Sequence, residues 1–375
     1  MATGGSSLAD WISAISQLAF LVIFLLLFTG ANQRFQMYIW GREVRATLAL
    51  FKRYYEEAEE KTRDLLVRNG AKRPKTIVDR VKDYVVISPV DIEPVDIIRR
   101  LDHILETERN QIKELLKEEM PDKDKVTRYK VETSLSITYA LNMLFKIVRH
   151  YLLTSEKTNN YILLMQLKLI LPQIVKIAES YRKALDDFVK GAPIGDSIGP
   201  LIAYSLAYSN SEKPEWRNID DDTVATLVNY EGRKLILVKA EGPESNVGRP
   251  GLVIEEIIEK DLFKTGKPKL LITVDAALKL EGEETGSVAE GVGAAIGDPG
   301  PEKIRIERTA SRHGIPLRTV IVKMGMDEAI YAMKEEIYKG GLEALERIKT
   351  IITEETKEGD TVLLAGIGNS VGVSQ

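Results

Sequence analysis

From Leu18 to Phe28 every residue is apolar, and the apolar stretch extends from Trp11 to Ala31 with only Ser13, Ser16, Gln17 and Thr29 interrupting it and no charge. A helix rises about 1.5 Å per residue, so such a stretch is about 30 Å long, the thickness of a bilayer's hydrocarbon core. The segment 1–31 reads as a membrane anchor. No other stretch qualifies by the same reading, so everything from residue 32 onward must fold on one tether to a lipid bilayer. Asp10 is the only charged residue before the span, whereas Arg34, Arg42, Arg45, Lys52 and Arg53 follow it closely. Positive charge marks the cytoplasmic flank, which puts the amino terminus outside and the body in the cytoplasm. A cleaved signal peptide fits less well. The residues before the span carry no basic charge and the apolar part is longer than an h-region, although Thr29-Gly30-Ala31 supplies small residues after it.

The 375 residues leave room for two or three domains. Lys and Arg number 52 against 56 Asp and Glu, a net charge of −4 that offers no electrostatic footprint for nucleic acid. There is no cysteine, which excludes disulfides, thiolate metal ligands and cysteine nucleophiles.

Beyond the anchor the pattern is helical to about residue 190. Val44, Leu48, Phe51, Tyr55, Ala58, Thr62 and Leu65 step alternately by four and three, the seam of a heptad. Such a seam either packs on the core of its own domain or pairs copies of the chain into a homo-oligomer through the membrane-proximal helix. Asn69-Gly70 and Pro74 break the pattern, and Pro89 and Pro94 frame a turn. Helices are then expected over 95–118, 124–154 and 158–190, the last kinked or split at Pro172. The segments 134–153 and 161–171 are apolar, but Lys146, Arg149, His150, Gln166 and Lys168 mark them as buried bundle helices.

At Gly191 the period changes. Strands are expected over 223–230, 234–240, 269–276, 303–307, 317–323 and 361–365, helices over 251–264 and 326–354, and a surface loop from Ser209 to Asp222. Strands alternating with helices give an α/β domain with a mostly parallel sheet over 191–375, preceded by a helical domain over 32–190.

Four motifs in this last domain could carry chemistry: Gly195-Asp196-Ser197-Ile198-Gly199-Pro200, Ile272-Thr273-Val274-Asp275-Ala276, Glu283-Glu284-Thr285-Gly286 with Gly291-Val292-Gly293, and Gly366-Ile367-Gly368-Asn369. Ligands of open α/β sheets sit beyond the carboxyl ends of the strands, where Asp275 and Gly366 to Asn369 fall. Glycine turns bring backbone N–H groups close to a bound group. If Asp196 and Asp275 face each other, like charge raises one pKa and leaves an acid/base pair or a metal site. Each motif also has a plain structural reading, as a helix cap, a strand-ending loop cap or a turn. The stretch Glu244 to Gly251, with Asn246 and Arg249 before a helix, could hold an anion or be a simple turn. His103 and His150 lie on expected helices and read as core or surface residues.

Taken together, these motifs and Gly314-Ile315-Pro316-Leu317-Arg318-Thr319-Val320 resemble the spore germination proteases, and are similar to the hydrogenase maturation proteases of the same phosphorylase/hydrolase-like three-layer fold. The whole chain, anchor included, resembles an archaeal family of uncharacterised membrane-anchored proteins. The protease resemblance implies catalytic roles for Asp196 and Asp275. From the hydrogenase proteases it implies a divalent metal on Asp196, Asp275 and a later histidine, for which His313 is the candidate, with Asn246 and Glu281 as weaker neighbours. In those families the first strand and its Gly-Ile-Gly-Asn turn come directly before the acidic motif. Here they come last, so a circular permutation is expected, with Asn369 beside Asp196.

Three functions follow. One is a hydrolase acting on peptide or protein, with Asp196 and Asp275 activating water and the backbone of Gly366, Gly368 and Asn369 steadying negative charge. The second is a non-catalytic oligomeric membrane scaffold. The third is a sensor holding a small anionic ligand at 244–251.

Overall fold

The computed structural model describes residues 8–28, 30–85, 96–297 and 300–375; the expected turn between Pro89 and Pro94 lies outside them. Six helices come first: α1 (Leu8–Phe28), α2 (Gly30–Arg68), α3 (Pro74–Val81), α4 (Ile97–Glu119), α5 (Lys125–Thr158) and α6 (Tyr161–Lys190). Pro74 opens α3 at its first turn, where a missing N–H costs nothing. Pro172 lies inside α6, which runs on as one helix rather than splitting.

The chain forms two compact units, Met1–Glu56 with Leu141–Ala178, and Glu57–Ala140 with Glu179–Gln375. In the first, Lys168 of α6 pairs with Glu43 of α2 at 2.7 Å and stands 5.6 Å above the ring of Trp40. Much of this unit's apolar surface is uncovered. Ile12, Ile15, Leu18, Phe20 and Ile23 of α1 are all more than half exposed. Ile162, Leu169 and Ile170 of α6 are exposed as well, as are Met143, Ile147 and Tyr151 of α5. This corrects the expectation of wholly buried bundle helices: α5 and α6 bury one face and show the other. It also shows a second apolar stretch that the sequence reading set aside, because α6 meets the test of length and composition for a helix that crosses a membrane.

The heptad seam is buried within the chain at Val44, Phe51, Ala58 and Thr62. Thr62 of α2 exchanges a 2.9 Å hydroxyl hydrogen bond with Thr138 of α5.

The second unit contains a seven-stranded sheet, β1 (Arg217–Asp220), β2 (Thr223–Tyr230), β3 (Arg233–Ala240), β4 (Leu270–Leu278), β5 (Val288–Val292), β6 (Leu317–Met324) and β7 (Thr361–Gly366), in the order β1-β2-β3-β7-β4-β6-β5. It is mixed rather than mostly parallel. β3, β7, β4 and β6 run parallel, and antiparallel strands flank them on both sides. The central strands read as unbroken apolar runs because helices cover both faces. On one face α7 (Ile198–Asn210) and α11 (Glu335–Glu355) pack on Leu237, Val274 and Leu364. On the other, α8 (Pro250–Lys260) and α9 (Pro301–His313) pack on Val238, Leu271 and Leu363.

Several local expectations give way to tertiary context. The expected strand over 303–307 is part of α9, whose alternating pattern Ile304-Arg305-Ile306 buries Ile306 fully. The expected helix over 326–354 is broken between α10 (Met326–Ile330) and α11. The helix expected to reach 264 stops at Lys260, where Asp261 turns left-handed. The Ser209-to-Asp222 loop contains β1, and Asp222 is only 3 % exposed.

Candidate functional site: a buried aspartate pair

Three backbones converge at the carboxyl ends of β4 and β7, and glycine is what lets them. A Cβ on Gly199 would lie 2.0 Å from the carbonyl oxygen of Ile367 and 2.6 Å from that of Val274. A Cβ on Gly366 would lie 2.3 Å from the Gly199 oxygen. Gly368, at φ +126°, faces the carbonyl of Asp196, 2.1 Å from where its Cβ would be. The Gly-Asp-x-x-Gly and Gly-x-Gly spacings are thus the mutual imprint of a short 3-10 turn (Gly195–Ser197) leading into α7 and the turn after β7. The Ser197 hydroxyl ties the two together, accepting the Ile194 N–H and donating to the Val371 carbonyl, both at 3.2 Å.

This packing sets two carboxylates within each other's field. Asp196 Oδ2 accepts the backbone N–H of Asn369 at 2.8 Å. Asp275, 4 % exposed, accepts the N–H of Ala276 at 2.7 Å and a second backbone N–H from Gly297. Burial, and then the charge of Asp196, push the Asp275 carboxyl well above the usual carboxylate range against those two donors. Asp196 is also raised by burial, and the Asn369 N–H works against the rise. Asp196 is the partly exposed member of the pair. Both carboxyls are thus raised, Asp275 the further of the two, and they titrate as a coupled pair.

The other expected site residues fall as follows. Asn369 touches Asp196 through its backbone, and its side-chain amide donates to Ser245 Oγ at 3.3 Å. Asn246 stands one loop further out, its carbonyl accepting the Ser370 N–H at 2.9 Å and its amide donating to the Glu241 carbonyl at 2.8 Å. Gly366 and Gly368 shape the site, but the turn offers less free backbone than expected. The Ile367 N–H bonds the Val274 carbonyl at 2.8 Å, and the Asn369 N–H is taken by Asp196. Glu281 is exposed beyond the end of β4.

His313 is not part of the assembly. It ends α9 beside the amino-terminal end of β4, where its carbonyl takes Lys267 at 2.7 Å and its Nε2 meets Glu259 at 3.2 Å. Asp275 is the sixth residue of β4, and at about 3.3 Å per residue this places it near the far end of the strand. Among the described residues no three His, Asp or Glu side chains gather to hold a metal ion. The metal set expected from the resemblance thus lacks its third ligand.

The anion site expected at 244–251 is already filled by the chain itself. Glu302 Oε2 accepts the Gly251 and Leu252 N–H groups at the start of α8, at 2.7 and 3.0 Å. Arg249 pairs with Asp102 at 3.3 Å and Glu106 at 3.4 Å.

Two contributors escape a reading of the sequence. The Thr273 hydroxyl accepts the Ala295 N–H at 2.9 Å, which holds the loop carrying Gly297 against β4. Thr273 lies two residues before Asp275 and so on the same face of the strand, a signal that was available. Gly297 gave none, because it acts through its backbone alone.

Two family models match the chain: one described as the N-terminal domain of a protein of unknown function (DUF1512), over residues 18–191, and one described as the DUF1512 C-terminal domain, over residues 194–374. No curated protein and no solved structure matches it.

Proposed function

The chain belongs to the DUF1512 family, and we propose that its C-terminal domain is a carboxylate-dependent hydrolase, peptidase-like in its chemistry, tethered to the cytoplasmic face of a membrane by residues 11–31. One observation carries the reading: two aspartates share the site at the carboxyl ends of β4 and β7, buried Asp275 and partly exposed Asp196, with Asp275 raised by burial and by the charge of Asp196. A carboxyl that must stay protonated beside one that ionises is the arrangement general acid–base hydrolysis needs.

In this reading Asp196 accepts a proton from the attacking water, whose oxygen bonds to the carbonyl carbon of the substrate. Asp275 hydrogen-bonds the carbonyl oxygen as negative charge develops there. The proton taken by Asp196 then passes to the amine as the C–N bond breaks, which returns the pair to its starting state. The contact between Asn369 and Asp196 supports a permuted relationship to the germination proteases, with β7 standing where their first strand would.

The test is direct. The full chain in detergent is incubated with a mixed-sequence peptide pool, and mass spectrometry reads new termini. The wild type is expected to cleave, and Asp275→Asn and Asp196→Asn each to lose about 10²–10⁴ of the rate. Cleavage that survives either change overturns the reading, as does a wild type that is inert with peptides and other amides alike.

A scaffold reading draws on a different observation. Met143, Ile147 and Tyr151 form an uncovered stripe on α5, and a large apolar contact there would show as a stable oligomer whatever the state of the aspartates.

A further inference from the structure

Within the second unit, α4 and α5 face each other across a cavity of about 370 Å³, closed at one end by Asp221 and Asp222. Its size falls in the range of about 300–1,000 Å³ that small-molecule sites occupy. Some of the charge in its walls is already matched. Asp222 receives the Lys113 ammonium and the Tyr129 hydroxyl, which hold its carboxyl below the usual range against burial. Lys125 donates to Glu241 and, at 2.5 Å, to the Asp221 carbonyl. These contacts fix the geometry of the cavity and leave Asp222 closed to a ligand.

Other charge in the same walls is unmatched. The side-chain carboxyl of Glu132 on α5 has no hydrogen bond or ion pair among the described residues; the Ser136 hydroxyl donates to its backbone carbonyl instead. Burial pushes its carboxyl up to about 7, with Lys113 and Arg109 opposing and Asp222 adding to the rise. Arg128 lies one turn earlier and so on the same face of α5. It donates to the Lys123 carbonyl and forms no ion pair with a carboxylate among the described residues, Asp124 feeling its charge only at longer range. Across the cavity on α4, Glu114 and Lys117 line the wall one turn apart, both exposed and without an ion pair among the described residues. The slot therefore has Glu132 as the open acid of its inner wall, with Arg128 beside it and Lys117 opposite as open cations, and Glu114 at the exposed rim.

We propose that this cavity binds a small zwitterion of the α-amino-acid class, its ammonium on Glu132 and its carboxylate on Arg128 and Lys117. A simple cation would leave the two basic groups unanswered. A simple anion would meet Glu132 as a like charge, or require it to be protonated. A molecule carrying both charges a few ångströms apart answers both at once, and each contact is a charge-assisted hydrogen bond in a partly dry site. The proposal is independent of the aspartate pair, so either can fail alone.

It makes a proton signature that ordinary surface binding lacks. An ammonium beside Glu132 favours the carboxylate, so binding near neutral pH drives off the proton that Glu132 holds. Titration calorimetry on the full chain in detergent at about pH 7, repeated in buffers of different ionisation enthalpy, reads that proton. The probes are the common α-amino acids, with acetate and methylamine as single-charge controls. At least one amino acid is expected to bind and release about half a proton, as a group titrating near that pH requires. Acetate and methylamine are expected to bind at least tenfold more weakly. Glu132→Gln, close in shape to the protonated acid, is expected to fold as the wild type does, to lose the proton release and to weaken binding at least tenfold. No binding by any amino acid overturns the proposal. So does proton release that persists in Glu132→Gln, or acetate binding as well as the zwitterion.

Discussion

Asp275 and Glu328 are both mostly buried acids, and their surroundings move them in opposite directions. Glu328 accepts the Gly325 N–H at 2.6 Å, the Thr285 hydroxyl at 2.8 Å and the Lys334 ammonium at 2.7 Å, and these hold it down at about 2. Its folded pKa is lowered, so its contribution to stability is present above the unfolded value near 4.5 and is lost as pH falls toward about 2. Glu328→Gln is expected to cost about 1–3 kcal/mol at neutral pH, and the loss should shrink in acid denaturation curves. Asp275 has the reverse sign. Its folded pKa is raised, so the native state binds the proton more tightly than the unfolded chain does. Stability is fullest below the unfolded value and falls as pH rises toward the folded one. Asp275→Asn is therefore expected to raise the melting temperature at neutral pH, by a margin that closes in acid, while the proposed hydrolysis is lost. A variant that lost stability as well would mark Asp275 as a structural cap rather than a strained functional acid.

At the scale of elements, β7 is the piece on which the rest depends. It comes after all the other strands and helices in chain order yet lies in the middle of the sheet, hydrogen-bonded to β3 on one side and β4 on the other. Ending the chain at residue 360 is expected to abolish the native fold of the C-terminal domain, with loss of protection in hydrogen exchange across β3 and β4. Gly368→Ala is a gentler probe of the same junction. At φ +126° its new methyl would need the Asp196 carbonyl to move from 2.1 Å, so a loss of about 1–3 kcal/mol is expected, along with a displaced Asp196. Much of this was legible in the sequence. Two apolar runs around Glu231-Gly232 announce the β2–β3 hairpin, and Leu363 and Leu364 read as a buried strand because helices cover both of its faces. The glycine and aspartate spacings pointed to the junction because steric exclusion writes itself into residue type. What stayed hidden depends on partners far apart in sequence. β5 is short and half exposed, with its pairing supplied by β6. Asp222 looked like part of a solvated acidic run until Lys113 and Tyr129, about a hundred residues earlier, closed over it.

At the scale of the whole molecule two apolar helices, α1 and α6, compete for the bilayer. Residues 11–24 of α1 are exposed along their length, with Phe20 at 70 %. The sequence continues the apolar run to Phe28 before the first basic residue, Arg34. Apolar surface of this extent is costly in water, at roughly 25 cal/mol per Å², and a lipid phase removes that cost while the helix satisfies its own backbone. α6 passes the same test of length and composition, but it carries Lys168 within its apolar stretch, paired with Glu43 of α2. Breaking that pair inside hydrocarbon would leave two charges without partners. Deleting residues 1–31 is therefore expected to move the protein from the membrane pellet into the soluble fraction, where the wild type resists extraction by alkaline carbonate. If the deleted form stays in the pellet and still resists carbonate, α6 is a membrane helix in its own right. If it is soluble but associates, its uncovered stripes on α5 and α6 meet protein rather than lipid. The Lys168–Glu43 pair then keeps its place at a wet interface, where a charge can remain solvated at small cost.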